Sequence, residues 1–367
     1  LNHTSRAAQG GLSDWAKTLF SIFYAIFLVG GLVFGYLFYS TIKEIVAYVP
    51  LSAPLALPQN GAGTGGTLSD PVAPSGQPNA RLEAPPVPDQ EWDRPGRVNI
   101  LLLGVDQRKC EPPPSRTDTM ILVTVDPQQK TAAMLSIPRD LWVEIPGDLP
   151  GVPAENRINT AHVYGEIKKY PGGGPALAMR TVEKNFGIPV DYYVRINFEG
   201  FKQIVDALGG IDIDVPKAVH DDAFPDDTCG THVVDIPAGK QHMDGQRAME
   251  YARSRHGSSD FDRAARQQEV LYAMRDRAIS LNVITRLPQL YQALNNTIDT
   301  DMQVWEMFAL ARAAWDIPRD NIQSYVIDAN MTVPWKTPQG ADVLIPKREE
   351  IGQLLEQIFG PVTAARQ

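Results

Sequence analysis

Between Arg253 and Gln268 the chain reads RSRHGSSDFDRAARQQ, which sets Arg253, Arg255, Arg263 and Arg266 beside only Asp260 and Asp262, in a protein of formal net charge -9. Planar guanidinium forks match phosphate oxygens, so this local excess of cation marks an anion site. A helix from Asp260 onward puts Asp260, Arg263 and Gln267 on one face at i, i+3 and i+7. Val270, Leu271, Met274 and Ala278 continue the stripe and are apolar, so the polar residues point where the core lies. Arginine enters a core only when paired or facing a ligand. Two readings follow from these residues alone: a phosphate-binding cluster, and an internal Arg/Asp ion-pair network.

Two carboxylates and one more arginine can complete the site. Asp106 ends the apolar run VNILLLGV, and open α/β sheets bind ligands beyond the carboxyl ends of their strands. Asp118, in SRTDTM, precedes the second apolar run, and Arg139, in SIPRD, follows the third, with Asp140 beside it as an orienting acid or a turn residue. Brought to one sheet edge, Asp106 and Asp118 can hold a hard cation such as Mg2+, which takes one or two carboxylates plus substrate phosphates. For Asp118 alone, a capping turn residue is the plainer reading. No HExxH, paired CxxC, GxSxG or Walker sequence competes. The histidines lack ligand spacing, and Asp221, Asp222, Asp226 and Asp227 lack the order of an EF-hand loop, so they read as a solvated acidic loop.

The elements that must position these residues alternate. Short buried-type runs predict strands at 98–105, 120–125, 132–137, 192–196, 211–215 and 322–327, with a turn at Asp126 to Gln129. Helical periodicity covers 175–186, 198–208, 260–280, 287–295, 302–315 and 348–359. This alternation predicts an α/β domain over 96–360, a central mixed β-sheet with helices on both faces in α-β-α layers, followed by a tail at 361–367.

The remainder cannot be part of that domain. Residues 18–42, TLFSIFYAIFLVGGLVFGYLFYSTI, carry no charge and are long enough to cross a bilayer as one transmembrane helix. A short cytoplasmic tail, 1–17, precedes them. Residues 43–95 are rich in Pro and Gly with little apolar periodicity, which predicts an extracytoplasmic tether. A sequence pI near 5.2 argues against nucleic acid as a partner, because such binding needs a basic surface. Cys110 and Cys229 are the only cysteines. In an extracytoplasmic domain they form a candidate disulfide, with two separate thiols as the alternative.

The segments NILLLGVDQR, SRTDTMILVTVDP, AAMLSIPRDLWVEIPG, RINTAHVYGE, VDYYVRINFEGFKQIVDALGGIDIDV, IPAGKQHMDGQRAMEYARSRHG and DFDRAARQQEVL resemble, in order, the motifs of the LytR-CpsA-Psr family. The resemblance covers about 97–279, and a single-pass anchor with a tether fits it. It implies a bacterial cell-membrane protein whose extracytoplasmic domain moves a glycopolymer from a polyprenyl-pyrophosphate carrier onto peptidoglycan as a phosphodiester. By motif, Asp106 and Asp118 would sit at the Mg2+ and pyrophosphate site with catalytic roles, as would Arg139 and Arg263. Arg139, Arg253, Arg255, Arg263 and Gln267 would contact phosphate, with Asp260 orienting the arginines. Two positions depart from the pattern: Asp262 stands where the family often has Gly, and Val143 where some members carry Arg. A non-catalytic lipid-phosphate scaffold and a pyrophosphate hydrolase are the rival classes.

Overall fold

The computed structural model describes residues 92, 94 and 96–360, except 107–113, 148, 227–228, 256–258 and 295–296. The chain divides into the units Leu1–Asn79 and Ala80–Gln367. The first unit, and with it the candidate span 18–42, lies outside the described residues, as do most of the tether and the tail 361–367. Among the described residues no helix is long and apolar enough to cross a membrane.

The apolar run at the start of the domain folds as β1 (Val98–Val105), buried along nearly its whole length as a central strand must be. Its neighbour β2 (Thr117–Asp126) turns into β3 (Thr131–Ser136), where Asp126 Oδ1 accepts from the Gln128 and Gln129 amides at 3.1 and 2.9 Å. A small pair, β4 (Trp142–Glu144) and β5 (Glu155–Arg157), leads to α1 (Thr160–Ile167) and α2 (Gly173–Phe186). β6 (Tyr192–Asn197) then returns parallel to β1, the helices supplying the long crossover that parallel pairing demands.

After α3 (Phe198–Ala207) and β7 (Ile211–Val215) comes a hairpin, β8 (Val219–Pro225) with β9 (Thr231–Ile236); β10 (Gly239–Met243) pairs with β7. Next are α4 (Gly245–Arg253), the long α5 (Asp260–Ser280), α6 (Leu287–Leu294), β11 (Ile298–Thr300), α7 (Val304–Trp315) and β12 (Ile322–Val326). A hairpin of β13 (Thr332–Lys336) and β14 (Asp342–Pro346) precedes α8 (Arg348–Phe359).

The main sheet has the order β11-β6-β1-β2-β3-β12. β1, β3, β6 and β12 run one way, β2 and β11 the other, so the sheet is mixed, as expected. Alternation decides its faces. Leu101, Leu103, Leu122 and Leu135 pack with Leu177 and Val182 of α2 and Ile351 and Leu355 of α8. Ile100 and Val125 pack oppositely with Leu310 of α7. Leu101, Leu122 and Leu135 are 0% exposed, and truncating any one to alanine would cost about 2–5 kcal/mol. A third core joins Val205, Tyr251 and Val270 from α3, α4 and α5 with β7 to β9.

Of the acids expected in a solvated loop, Asp222 is exposed as expected and Asp227 lies outside the described residues, but Asp221 and Asp222 belong to strand β8 rather than to a loop. Asp221 is 3% exposed, and its carboxylate accepts the amides of Arg255 at 3.0 Å and Ala223 at 3.2 Å. A buried carboxylate needs such donors, so Asp221 anchors the backbone beneath the arginines.

Candidate functional site

The strand directions put the ends of β1 and β3 and the start of β2 at one sheet edge. Between Gly104 and Val105 the β1/β2 register slips: Gly104 faces Thr119 and Val105 faces Thr117, which leaves Asp118 as the extra residue of a β-bulge. Bulges re-aim side chains beside functional sites. A Cβ on Gly104 would fall 2.8 Å from Thr119 Cβ, so glycine allows the close approach. Asp106 follows β1, its amide donating to the Arg116 carbonyl at 3.2 Å.

The arginines arrive from three directions. Arg139, just past β3, donates through Nη1 to Asp118 Oδ2 at 2.7 Å, and Arg255 donates through Nη2 to the same oxygen at 3.0 Å. Arg253 ends α4 with Nη2 3.8 Å from Asp106 Oδ2, and its guanidinium lies 3.7 Å from the Phe198 ring centroid and 5.0 Å from that of Phe224. Those faces hold a cation without neutralising it. Arg263, on the first turn of α5, approaches Asp260 Oδ1 at 3.1 Å, while Asp260 Oδ2 stands 3.8 Å from Arg139 Nε. Asp140 accepts from Arg139 and Arg157, each at 3.3 Å. Asp118, Arg139, Arg255, Asp260 and Arg263 are thus linked in one network, and the Asp106–Arg253 pair lines the same cavity as Asp118, Arg255 and Arg263. Gln267 donates to the Ala252 carbonyl at 3.4 Å and lines the same cavity.

Charge in this cluster is unbalanced. Burial alone would raise the Asp118 carboxyl, but Arg139, by charge and hydrogen bond, with Arg255 and Arg263 behind it, holds it below its ordinary value. Arg263 behaves oppositely: burial first, then repulsion from Arg255 and Arg139, outweighs Asp260 and pushes its guanidinium down to about 10. Its buried Nη1 has no hydrogen-bond acceptor among the described residues; the 3.1 Å approach to Asp260 is an ion pair without hydrogen-bond geometry. A buried donor in that state is costly unless a ligand completes it.

The rest of the arginine-rich stretch is structural. Arg266 donates to the Tyr251 carbonyl at 2.9 Å and to that of Ser254, tying α5 to the end of α4. Asp262 closes a capping box with Ser259, a role glycine cannot fill. Val143 is 2% exposed in the main core.

Two cavities meet here. One, of about 210 Å³, is lined by Asp106, Asp118, Arg253, Arg255, Arg263 and Gln267 among others. The other, of about 140 Å³, is walled mainly by Leu102, Val194, Ile196, Phe201, Met249 and Leu271, and shares Arg253 and Gln267 with the first. Of this apolar chamber the sequence offered the stripe of Val270 and Leu271 beyond Gln267, both of which line it, without a lipid contact being assigned; the ring of Phe198 was missed. A further signal was that Leu102 and Val194 alternate away from the main core.

Among the described residues, no group of three or more His, Cys, Asp and Glu is placed to hold a metal. Asp106 and Asp118 supply two carboxylates, which fits an ion that draws its other ligands from phosphate and water. Cys229 takes part in a disulfide, and Cys110, the other cysteine of the chain, lies outside the described residues.

Comparison with known proteins bears on the same domain. The LytR_cpsA_psr family model matches residues 75–359. The polyisoprenyl-teichoic acid–peptidoglycan teichoic acid transferase TagU of Oceanobacillus iheyensis is 31% identical over 296 residues, 80% of this chain and 84% of that protein. The transferase of the same description, TagV, of Bacillus subtilis is 34% identical over 214 residues, 58% of this chain and 51% of that protein, about half its length. Among solved structures, TagT bound to LI-WTA is similar with TM-score 0.57 and 29% identity, covering 77% of this chain and 98% of that one. With its motifs in order, most of its length matched and a mixed sheet of the same fold, the chain belongs to the LytR-CpsA-Psr family.

Proposed function

We propose that this chain is a transferase, as its curated relatives are named, moving a glycopolymer from a polyprenyl-pyrophosphate carrier onto a peptidoglycan hydroxyl as a phosphodiester. The observation that carries this reading is Arg263, buried against Arg255 and Arg139 with an unsatisfied N–H. Only a polyanion in the adjoining cavity relieves all of these at once. A relative solved as TagT bound to LI-WTA and relatives named polyisoprenyl-teichoic acid transferases support a lipid-linked donor.

In this mechanism the acceptor oxygen attacks the sugar-linked phosphorus, the P–O bond to polyprenyl phosphate breaks, and the hydroxyl proton leaves to solvent or a base. Phosphoryl transfer needs positioning and neutralised oxygens more than covalent help from the protein. Arg139, Arg253, Arg255 and Arg263 bind the phosphate oxygens in a poorly hydrated site, where such donors act most strongly, and Asp260 orients Arg139 and Arg263. Gln267 adds a neutral contact. Asp106 and Asp118 would hold Mg2+, which when bound neutralises phosphate charge. The apolar cavity would take the first isoprene units. The uncharged stretch 18–42 supports a single-pass anchor in a bacterial cell membrane, with the catalytic domain extracytoplasmic and no nucleic-acid partner.

The test supplies the full chain in detergent with a polyprenyl-pyrophosphate-linked glycopolymer, Mg2+ and peptidoglycan glycan. Polymer-bearing glycan plus polyprenyl phosphate is expected. Free sugar phosphate would instead indicate a hydrolase, and tight binding without turnover a scaffold.

A further inference from the structure

A third opening borders the arginine cluster. This groove, of about 440 Å³, is lined by Trp335 of β13, Phe261 of α5 and Val343 and Leu344 of β14, together with Asp140, Asp260, Asp342 and Lys336. Trp335 is 44% exposed, so its ring offers an open aromatic face within the groove. Its ring is braced edge-on against Trp142, with centroids 6.1 Å apart at 74°, and Trp142 Nε1 donates to Glu155 at 3.2 Å. The Leu344 amide donates to the Asp140 carbonyl at 3.0 Å, and Leu344 bridges to Leu141. The hairpin is therefore pinned to the segment that carries Arg139.

We propose that this groove is the acceptor subsite of the transferase, taking an uncharged pyranose of a glycan strand with its C–H face on Trp335 and its hydroxyls on the carboxylates. The inference rests on the transferase reading above. A sugar offers an apolar face and a rim of O–H donors; an aromatic platform ringed by carboxylate acceptors complements both. Its one lining cation, Lys336, is already paired with Asp342 at 2.9 Å, which leaves little to attract an anionic donor polymer. Placement argues the same way. The anion cavity shares Gly104, Thr119, Phe198, Arg253 and Gln267 with the apolar cavity, whereas the groove shares no lining residue with either. Its connection is through Asp140 and Asp260, which pair with Arg139 and Arg263. The sequence of sites is thus apolar cavity, anion cavity, groove. An in-line displacement needs the attacking oxygen opposite the leaving lipid phosphate, a position that an acceptor held in the groove, on residues separate from the lipid cavity, would supply.

Two measurements on the full chain test this, with thermal unfolding confirming that each variant folds. Initial rates against acceptor glycan should show Trp335→Ala raising the acceptor KM about tenfold or more with donor KM held, and Trp335→Phe recovering most of the loss. Calorimetry without donor should show a soluble β-1,4-linked N-acetylglucosamine oligomer binding the wild-type chain and not Trp335→Ala. Unchanged acceptor KM and oligomer affinity in the folded Trp335→Ala variant would overturn the assignment. A rise in donor KM instead would give the groove to the donor's sugars and also overturn it. Oligomer binding through Trp335 by a chain that transfers nothing would support the glycan groove while removing the transferase reading.

Discussion

Arg195 and Arg263 are guanidiniums near the same end of the central sheet, and their surroundings differ in kind. Arg195, on β6, donates to Glu166 at 2.8 Å, pairs with Asp299 at 2.8 Å and approaches His162 Nε2 at 3.1 Å. His162 Nδ1 faces the Ser115 carbonyl at 3.2 Å, which assigns the proton to Nδ1 and leaves Nε2 to accept. Burial first, then Arg195, lowers the pKa of His162, so the ring stays neutral and every partner in this network is matched. Arg263 feels Asp260 and, more weakly, Asp118, but burial and the neighbouring Arg255 and Arg139 outweigh them, and its Nη1 has no hydrogen-bond acceptor among the described residues. A satisfied buried network holds a fold together, whereas an unsatisfied one stores a cost that a ligand removes.

The comparison breaks first at Arg263. Arg263→Met should cut transfer by about 100- to 1000-fold, the scale for losing one donor at a developing charge. Its Tm should hold or rise, because a buried charge with poor partners is replaced by an apolar isostere. Arg195→Met should do the reverse, lowering stability by about 1–2 kcal/mol after allowance for partial exposure, with transfer within about twofold of wild type; chemical denaturation and rate assays measure the two. Asp118→Asn should raise the Mg2+ concentration for half-maximal transfer by roughly tenfold or more. The smallest effect concerns pH. The Asp118 pKa is lowered in the folded chain, so its contribution to stability is present above the usual carboxylate range and is lost as pH falls through the lower folded value. The stability difference between wild type and Asp118→Asn should therefore shrink at acid pH, as denaturation at several pH values would reveal.

Local signals made much of the scaffold legible. Val98–Val105, Asp260–Ser280 and Arg348–Phe359 carry clear apolar runs or periods and form where expected. Helix α4 was missed because GQRAMEYAR is polar overall and depends on its Asp244 cap and on tertiary burial of Met249 and Tyr251. The β8–β9 hairpin was hidden by its acids and by an irregular register between Asp221 and Phe224. Residue chemistry brought out the arginines and the two aspartates, since charge excess can be read without contacts. It could not assign Arg266 to carbonyls of α4, nor bring Trp335 of a distant hairpin beside Arg139, because both depend on long-range packing. The candidate span 18–42 and Cys110 fall outside the described residues.

The central claim is that the strain around Arg263 exists for a pyrophosphate. Thermal unfolding of the full chain with rising polyprenyl pyrophosphate and Mg2+ tests it directly. The wild-type Tm should climb with ligand, reaching about 4 kcal/mol of added stability near 1,000 times Kd, while Arg263→Met should show little shift. Equal shifts in the two proteins, or none in the wild type, would contradict the account.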